Sequence, residues 1–203
     1  MIIGQDLSWA RPSDDAGSLQ GRRIAIIGNS GAGKSTLARA LSARLGVKHI
    51  ELDSLNWGPG WTALSQQHPE RFAHVVAEEA ATDGWVSDGN YTGGALPSIL
   101  PRATDLIWLD YSRAVIMTRV LGRSFVRVLS SQELWPGTGN REGFRRWLDK
   151  DHPIRWTWDT YRSANERRAA LFGDLVAAHV RTHRFRTPAQ TRRWLAGIGH
   201  SDA

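Results

Sequence analysis

Residues 28–35 read Gly28-Asn29-Ser30-Gly31-Ala32-Gly33-Lys34-Ser35, a full match to G-x-x-x-x-G-K-[ST]. Glycines let such a loop curl so that its N–H groups converge on an anion. The flanks fit the motif. Arg22 to Ile27 is a short β-branched run suited to a buried strand, and Leu37, Leu41 and Leu45 recur at helical spacing until Gly46 stops the helix. A glycine-rich loop between strand and helix aims the helix's positive end at a bound phosphate. Lys34 then meets the β/γ-phosphates, and Ser35 offers its hydroxyl to Mg²⁺. The expected nucleotide ligands are Gly28, Asn29, Ser30, Gly31, Ala32, Gly33, Lys34, Ser35 and Thr36, with ATP and Mg²⁺ as the bound species.

The rest of the chain alternates strands and helices. His49–Leu52 reads as a second strand ending at Asp53, followed by a Trp/Gly/Pro-rich loop, 56–61. Phe72, Val75, Val76 and Ala80 form a helical stripe. Trp85–Asp88 and Asp105–Asp110 read as strands, with a helix over 112–128 and an irregular stretch over 136–143. An aromatic-rich helix near 154–172, a last strand over 176–185 and a last helix opened by Pro188 complete the pattern. Such alternation predicts an α/β fold with a mainly parallel sheet and helices on both faces.

At 203 residues the chain suits one domain, 21–203, behind a loose leader, 1–20. It has no cysteine, which excludes disulfides and thiolate chemistry and suits a reducing cytoplasm. No apolar stretch reaches membrane-spanning length. The formal net charge is +6, and lysine stands only at Lys34, Lys48 and Lys150 among 26 basic residues. Much of that arginine usage fits base composition, since Ala and Gly are also abundant. The seven histidines show no metal-ligand spacing.

Three acids close strands. Asp88 is the expected Mg²⁺-side carboxylate. Asp53 reads either as a capping or turn residue or as a group orienting an acceptor hydroxyl. Asp110 reads as a helix cap. Arg119, Arg123 and Arg127 share one helical face, with Arg141, Arg145 and Arg146 downstream. Beside a P-loop, such arginines stabilise phosphoryl transfer by about 10³–10⁵, and a helix running into a Gly/Pro-rich segment suits a lid, here about 119–150. Trp57 and Trp61 are placed to stack an acceptor ring. Trp85, Trp108 and Trp194 read as core, and Trp147, Trp156, Trp158 and Tyr161 as packing of the second half.

From Arg23 to about Phe172 the sequence resembles the adenylate-kinase-like P-loop proteins of the bacterial "topology modulation protein" group. The matching pieces are the P-loop, His49 to Asp53 with Trp57 and Pro59-Gly60-Trp61, Asp88-Gly89-Asn90-Tyr91, Ile107 to Arg113, and Glu133-Leu134-Trp135-Pro136-Gly137. The resemblance implies a nucleoside-monophosphate-kinase fold with strand order 2-3-1-4-5, ATP and Mg²⁺. Adenylate kinases carry Asp-Gly-Phe-Pro-Arg where this chain has Asp88-Gly89-Asn90-Tyr91, and Arg-x-x-Gly-Arg where it has Arg119 to Arg123. The arginine of the first motif is absent, and Arg102 is the candidate replacement. Shikimate and gluconate kinases place an aspartate after the second strand, where Asp53 stands.

The resulting expectation is ATP-dependent phosphoryl transfer to a small-molecule nucleotide, nucleoside or alcohol. Lys34, Arg119, Arg123 and Asp53 are the catalytic set, Ser35 and Asp88 hold the metal, and Asp53, Trp57, Trp61 and Arg102 line an acceptor segment of about 53–82. Two other readings are a nucleotide-binding regulator acting on DNA and a nucleotide hydrolase serving a partner. No helix-turn-helix signal supports nucleic-acid binding.

Overall fold

A computed structural model describes residues 19–91, 94–147, 149, 152–176 and 180–199. The expected leader lies outside the described residues up to position 18. The glycine-rich loop joins β1 (Arg23–Gly28) to α1 (Lys34–Leu45), and Gly46, in the left-handed conformation, ends that helix. β2 (Lys48–Glu51) runs directly into a short helix, α2 (Leu52–Asn56). Asp53 therefore sits in the first turn of α2 rather than at a strand end, a position that favours an acid. The Trp-rich loop is a small hairpin, β3 (Trp57–Gly58) and β4 (Thr62–Ala63), closed by a 3₁₀ turn. Helices α3 (Leu64–Gln67) and α4 (Pro69–Glu79) follow, then β5 (Trp85–Asp88) and α5 (Ala95–Ile99).

The second half carries β6 (Asp105–Leu109), α6 (Arg113–Ser130), α7 (Pro153–Val176), β7 (Arg181–Phe185) and α8 (Pro188–Gly197). α7 extends to Val176, so the last strand is shorter than the sequence suggested. Thr187 and Gln190 close a reciprocal capping box at the start of α8. The large sheet is all parallel in the order β2-β5-β1-β6-β7. Counted over these five strands alone, the order is the expected 2-3-1-4-5.

Both sheet faces are covered, as the apolar strands require. Ala25, Ile27, Leu106 and Trp108 face Phe72, Val76 and Phe172, whereas Ile24, Ile26, Ile107 and Leu109 face Leu37, Leu41, Val120 and Trp194. Trp85, Trp108 and Trp194 are core residues, as expected, but Trp156 and Trp158 are 53% and 56% exposed. Their positions on α7 point away from the stripe that Ala164, Arg168 and Phe172 bury. Among the described residues, no helix is long and apolar enough to cross a membrane.

Candidate functional site

The loop 28–33 leaves β1 at the carboxyl end of the central strand, where open parallel sheets gather their ligands. Asn90, just past β5, clamps it from both sides. Its Oδ1 accepts from the Gly28 N–H at 3.1 Å, and its Nδ2 donates to the Gly28 carbonyl at 2.6 Å. Gly31 has φ +80°, and a Cβ there would lie 2.6 Å from Val120 Cγ2. Only glycine lets the loop lie this close to α6, which brings that helix's arginines onto the loop. Arg119 donates to the Ala32 carbonyl at 3.1 Å, and Arg123 to Ser30 Oγ at 2.9 Å. Arg127, the third of the stripe, instead pairs with Glu142 at 3.6 Å.

Ser35 Oγ donates to Asp88 Oδ2 at 2.5 Å, joining the two expected metal-side groups. His49 Nε2 contacts the other carboxylate oxygen at 2.8 Å, so Asp88 is held from both sides. Glu51, paired in register with Asp88 on the next strand, has its carboxyl pushed up by burial and then by the Asp88 charge. Asp53 accepts from Tyr91 Oη at 2.6 Å. Burial, with the Asp53 charge, pushes the Tyr91 phenol well above its ordinary range, so Tyr91 stays a proton donor. Thr36 is exposed on the first turn of α1.

Positive charge dominates the loop's surroundings. Lys34 Nζ donates to the Asn29 carbonyl at 3.3 Å, and burial pushes its pKa down to about 8 against the opposing pull of Asp53 and Asp88. Burial likewise lowers Arg123 to about 10, and the buried Arg123 Nε has no hydrogen-bond partner among the described residues. A third cation, Arg168 of α7, escaped the sequence reading. It donates to Asn29 Oδ1 at 3.0 Å and Asn165 Oδ1 at 2.9 Å, and burial lowers it to about 10. The available signal was an arginine on the same helical stripe as Ala164 and Phe172.

Three cations withdrawn from water around one glycine loop fit a polyphosphate, which would restore the charge balance that burial removes. The Ser35–Asp88 pair fits Mg²⁺, which binds through one or two protein oxygens together with phosphate oxygens and water. Among the described residues, no three acids or histidines stand close enough to form an all-protein cage.

The aromatics expected to line an acceptor also converge. Trp57 and Trp61 meet edge to face at a 6.0 Å centroid distance, and both touch Trp135 at 6.0 Å. Asn140 strengthens the contact, accepting from the Trp61 N–H at 3.0 Å and donating to the Gly58 carbonyl at 2.9 Å. The segment after α6 thus rests on the β3–β4 hairpin. Trp135 and Asn140 carried no role in the sequence reading, because a contact between segments 80 residues apart leaves no local pattern.

Arg102 does not join the site. It ends a 3₁₀ turn before β6 and donates to the Ala81 carbonyl at 3.3 Å. β6 runs parallel to β1 with Ile24 beside Asp105 and Gly28 beside Leu109, so Arg102 lies at the opposite end of the sheet from the loop. Asp110 is not the α6 cap either. Ser112 caps that helix, and Asp110 forms an ion pair with Arg184 at 2.6 Å.

Residues 18–87, about a third of the chain, match the family model described as "ABC transporter". Among solved structures, the shikimate kinase from Acinetobacter baumannii in complex with shikimate aligns over 88% of this chain and 91% of its own. That pair has 17% identity and a TM-score of 0.53. The shikimate kinase from Bacteroides thetaiotaomicron aligns over 86% and 94%, with 19% identity and a TM-score of 0.47. No curated protein matches the chain. The α/β fold, with its parallel five-stranded sheet and phosphate loop, is that of P-loop kinases.

Proposed function

We propose that this protein transfers the γ-phosphoryl group of ATP to a small molecule carrying a hydroxyl or phosphate acceptor. The observation that carries the reading is the trio Lys34, Arg123 and Arg168, desolvated around the glycine loop. Phosphoryl transfer needs little covalent work from a protein; it needs positioning and compensation of charge on the phosphoryl oxygens. Backbone groups of residues 28–33 and the Lys34 ammonium hold the polyphosphate. Arg119 and Arg123 reach the loop from α6, while Arg168 reaches it from α7. Ser35 and Asp88 would hold Mg²⁺, which would supply neutralisation of phosphate charge when bound.

The acceptor lies on the Asp53 side. The pull of the Asp53 charge on both Lys34 and Arg123 supports this placement. One of its oxygens takes the Tyr91 hydroxyl. The other accepts a hydroxyl from the acceptor and orients it for attack. The segment 53–82 forms the acceptor wall, and the segment following α6, within 119–150, forms a lid closed by the tryptophan contact. This architecture also supports the likeness to the adenylate-kinase-like group noted in the sequence.

The test is acceptor-stimulated ADP release with Mg²⁺ and ATP. Shikimate, the ligand of the Acinetobacter kinase, is tested beside other small alcohols, nucleosides and nucleoside monophosphates. Stimulation by one class, abolished in Asp53→Asn with ATP affinity kept, is the expected result. ATP turnover indifferent to every acceptor would overturn the kinase reading in favour of a hydrolase.

A further inference from the structure

Beyond the phosphate loop, a hollow of about 610 Å³ opens on the flank of α7, bounded by the ends of β6 and β7 and the start of α6. No residue of the loop 28–35 lines it. Its floor is an arginine over a tryptophan, held by a carboxylate. Arg184, from the edge strand, lies over the Trp108 ring at 4.2 Å and is pinned there by two hydrogen bonds to Asp110 Oδ2, at 3.0 and 2.6 Å. A guanidinium seated over an indole leaves its far side for a planar ring. Trp108 is 1% exposed, yet its indole N–H has no hydrogen-bond partner among the described residues. A buried donor left unpaired on the wall of a hollow is costly unless something accepts from it.

The rim supplies further positive charge. Arg113 lies over the Trp158 ring at 3.8 Å and donates to the Trp158 carbonyl, which leaves other N–H groups of its fork for a ligand. Arg162, one helical turn from Glu166 on α7, is exposed at the mouth. Three arginines against two carboxylates leave the hollow net positive.

A chain of hydrogen bonds ties this hollow to the phosphate loop. Asp110, which holds Arg184, also accepts from Asn165 Nδ2 at 3.4 Å. Asn165 Oδ1 accepts from Asn29 Nδ2 at 2.9 Å and from Arg168 at 2.9 Å. Asn29 is the second residue of the loop, and Arg168 is one of its three cations. The link is therefore one carboxylate and one amide long.

From this geometry we infer that the hollow is a second ligand site, for a small molecule with a flat ring and one anionic group, whose occupation changes the loop's affinity for nucleotide. The ring lies on the Arg184 guanidinium, and the anion meets Arg113 and Arg162. A ring seated on Arg184 draws its guanidinium away from Asp110, and Asp110 then turns more fully to Asn165. Coupling of this kind is reciprocal, and typical values are about 5–150-fold. The binding half of the inference is independent of the kinase reading; the coupling half rests on nucleotide binding at the loop.

The experiment is calorimetric titration of AMP, benzoate, adenosine and inorganic phosphate into the full chain, with the loop filled by a non-hydrolysable ATP analogue and Mg²⁺. AMP binding alone indicates a phosphate-bearing ligand and benzoate binding alone a carboxylate. Either must exceed adenosine and inorganic phosphate, which have the ring or the charge but not both. Arg162→Glu and Ala169→Trp, which reverse the rim charge and fill the hollow, should each weaken binding by at least about tenfold while ATP turnover persists. Asn165→Leu should keep the binding and abolish its effect on ATP affinity. If the ring-bearing anions do not bind, or bind equally well to both hollow variants, the site is refuted. Binding without any change in ATP affinity refutes its coupling to the loop.

Discussion

The two ends of the central sheet handle buried charge in opposite ways. At the amino end, Asp105 is fully buried and fully served: it accepts from the Gln20 and Gly21 N–H groups at 3.1 Å, and His183 Nε2 meets it at 2.9 Å. At the carboxyl end, burial depresses Lys34, Arg123 and Arg168, and the pull of the nearby carboxylates among the described residues does not offset it. A buried charge with its full complement of partners is a staple. A group of like charges short of partners is a place where a ligand completes the structure.

The sharpest way to break this contrast is to remove one charge from each end. Lys34→Met should lower ATP turnover by about 10³, on the scale of losing a transition-state donor, while the melting temperature stays level or rises. Asp105→Ala should do the reverse. It leaves the buried His183 and two partly buried backbone N–H groups without an acceptor, costing about 3 kcal/mol and about 10 °C in melting temperature, with turnover per folded molecule preserved. Thermal melts and single-turnover rates on both variants decide. A Lys34→Met protein that melts much earlier would make Lys34 a staple after all.

The arginines give the next largest effect. Arg123 donates to Ser30 within the loop and has a buried Nε without a partner. If it compensates charge that develops during transfer, Arg123→Ala should lower kcat by about 10² with the ATP dissociation constant nearly unchanged. Arg123→Lys should recover only part, because it restores charge without the planar fork. Silence of both substitutions would reduce the α6 stripe to a solvated helix face.

The pH dependence tests the desolvation itself. Lys34 titrates near 8 when folded and at its higher ordinary value when unfolded. Between those values the unfolded chain holds a proton that the folded chain has released, so the ligand-free protein gains stability as pH rises through this window. A bound polyphosphate favours the charged ammonium and raises its pKa. ATP affinity should therefore fall about tenfold per pH unit above 8, with proton uptake on binding. Calorimetry in buffers of different ionisation heat measures that uptake, and Lys34→Met should flatten the profile.

The legibility of the site followed the range of the interactions that build it. Gly28 to Ser35 declares itself because loop, strand and helix are contiguous, and Leu37, Leu41 and the β1 run carry plain periodicities. Asp88 followed from the chemistry that the loop demands, and the 2.5 Å bond from Ser35 places it there. Arg102 went wrong because spacing along the chain does not say which end of a parallel strand a residue occupies; the register of β6 on β1 does. Arg168 and Asn165 lie more than 130 residues from Asn29, and only the return of α7 across the sheet brings them to it. Asp110 read as a cap because strand–acid–helix is a local pattern, whereas its actual partner, Arg184, sits on a strand added later in the chain.

The smallest expected effect separates two kinds of tryptophan. Trp135 stacks on Trp57 at 20° between ring planes and meets Trp61 edge to face, joining the segment after α6 to the hairpin. Trp156 stands 53% exposed on α7. Aromatic pairs of this kind contribute about 0.5–1.5 kcal/mol beyond the area they bury. If the contact holds the lid over the acceptor, Trp135→Ala should raise the acceptor KM about fivefold, while the ATP dissociation constant stays unchanged. Trp57→Ala should do the same, and the double variant should add little, since both changes break one contact. Trp156→Ala should leave every kinetic constant alone. A Trp135→Ala protein with unchanged acceptor KM would show that the cluster merely packs the hairpin, and that closure over the acceptor depends on Asn140 and its bonds to Gly58 and Trp61.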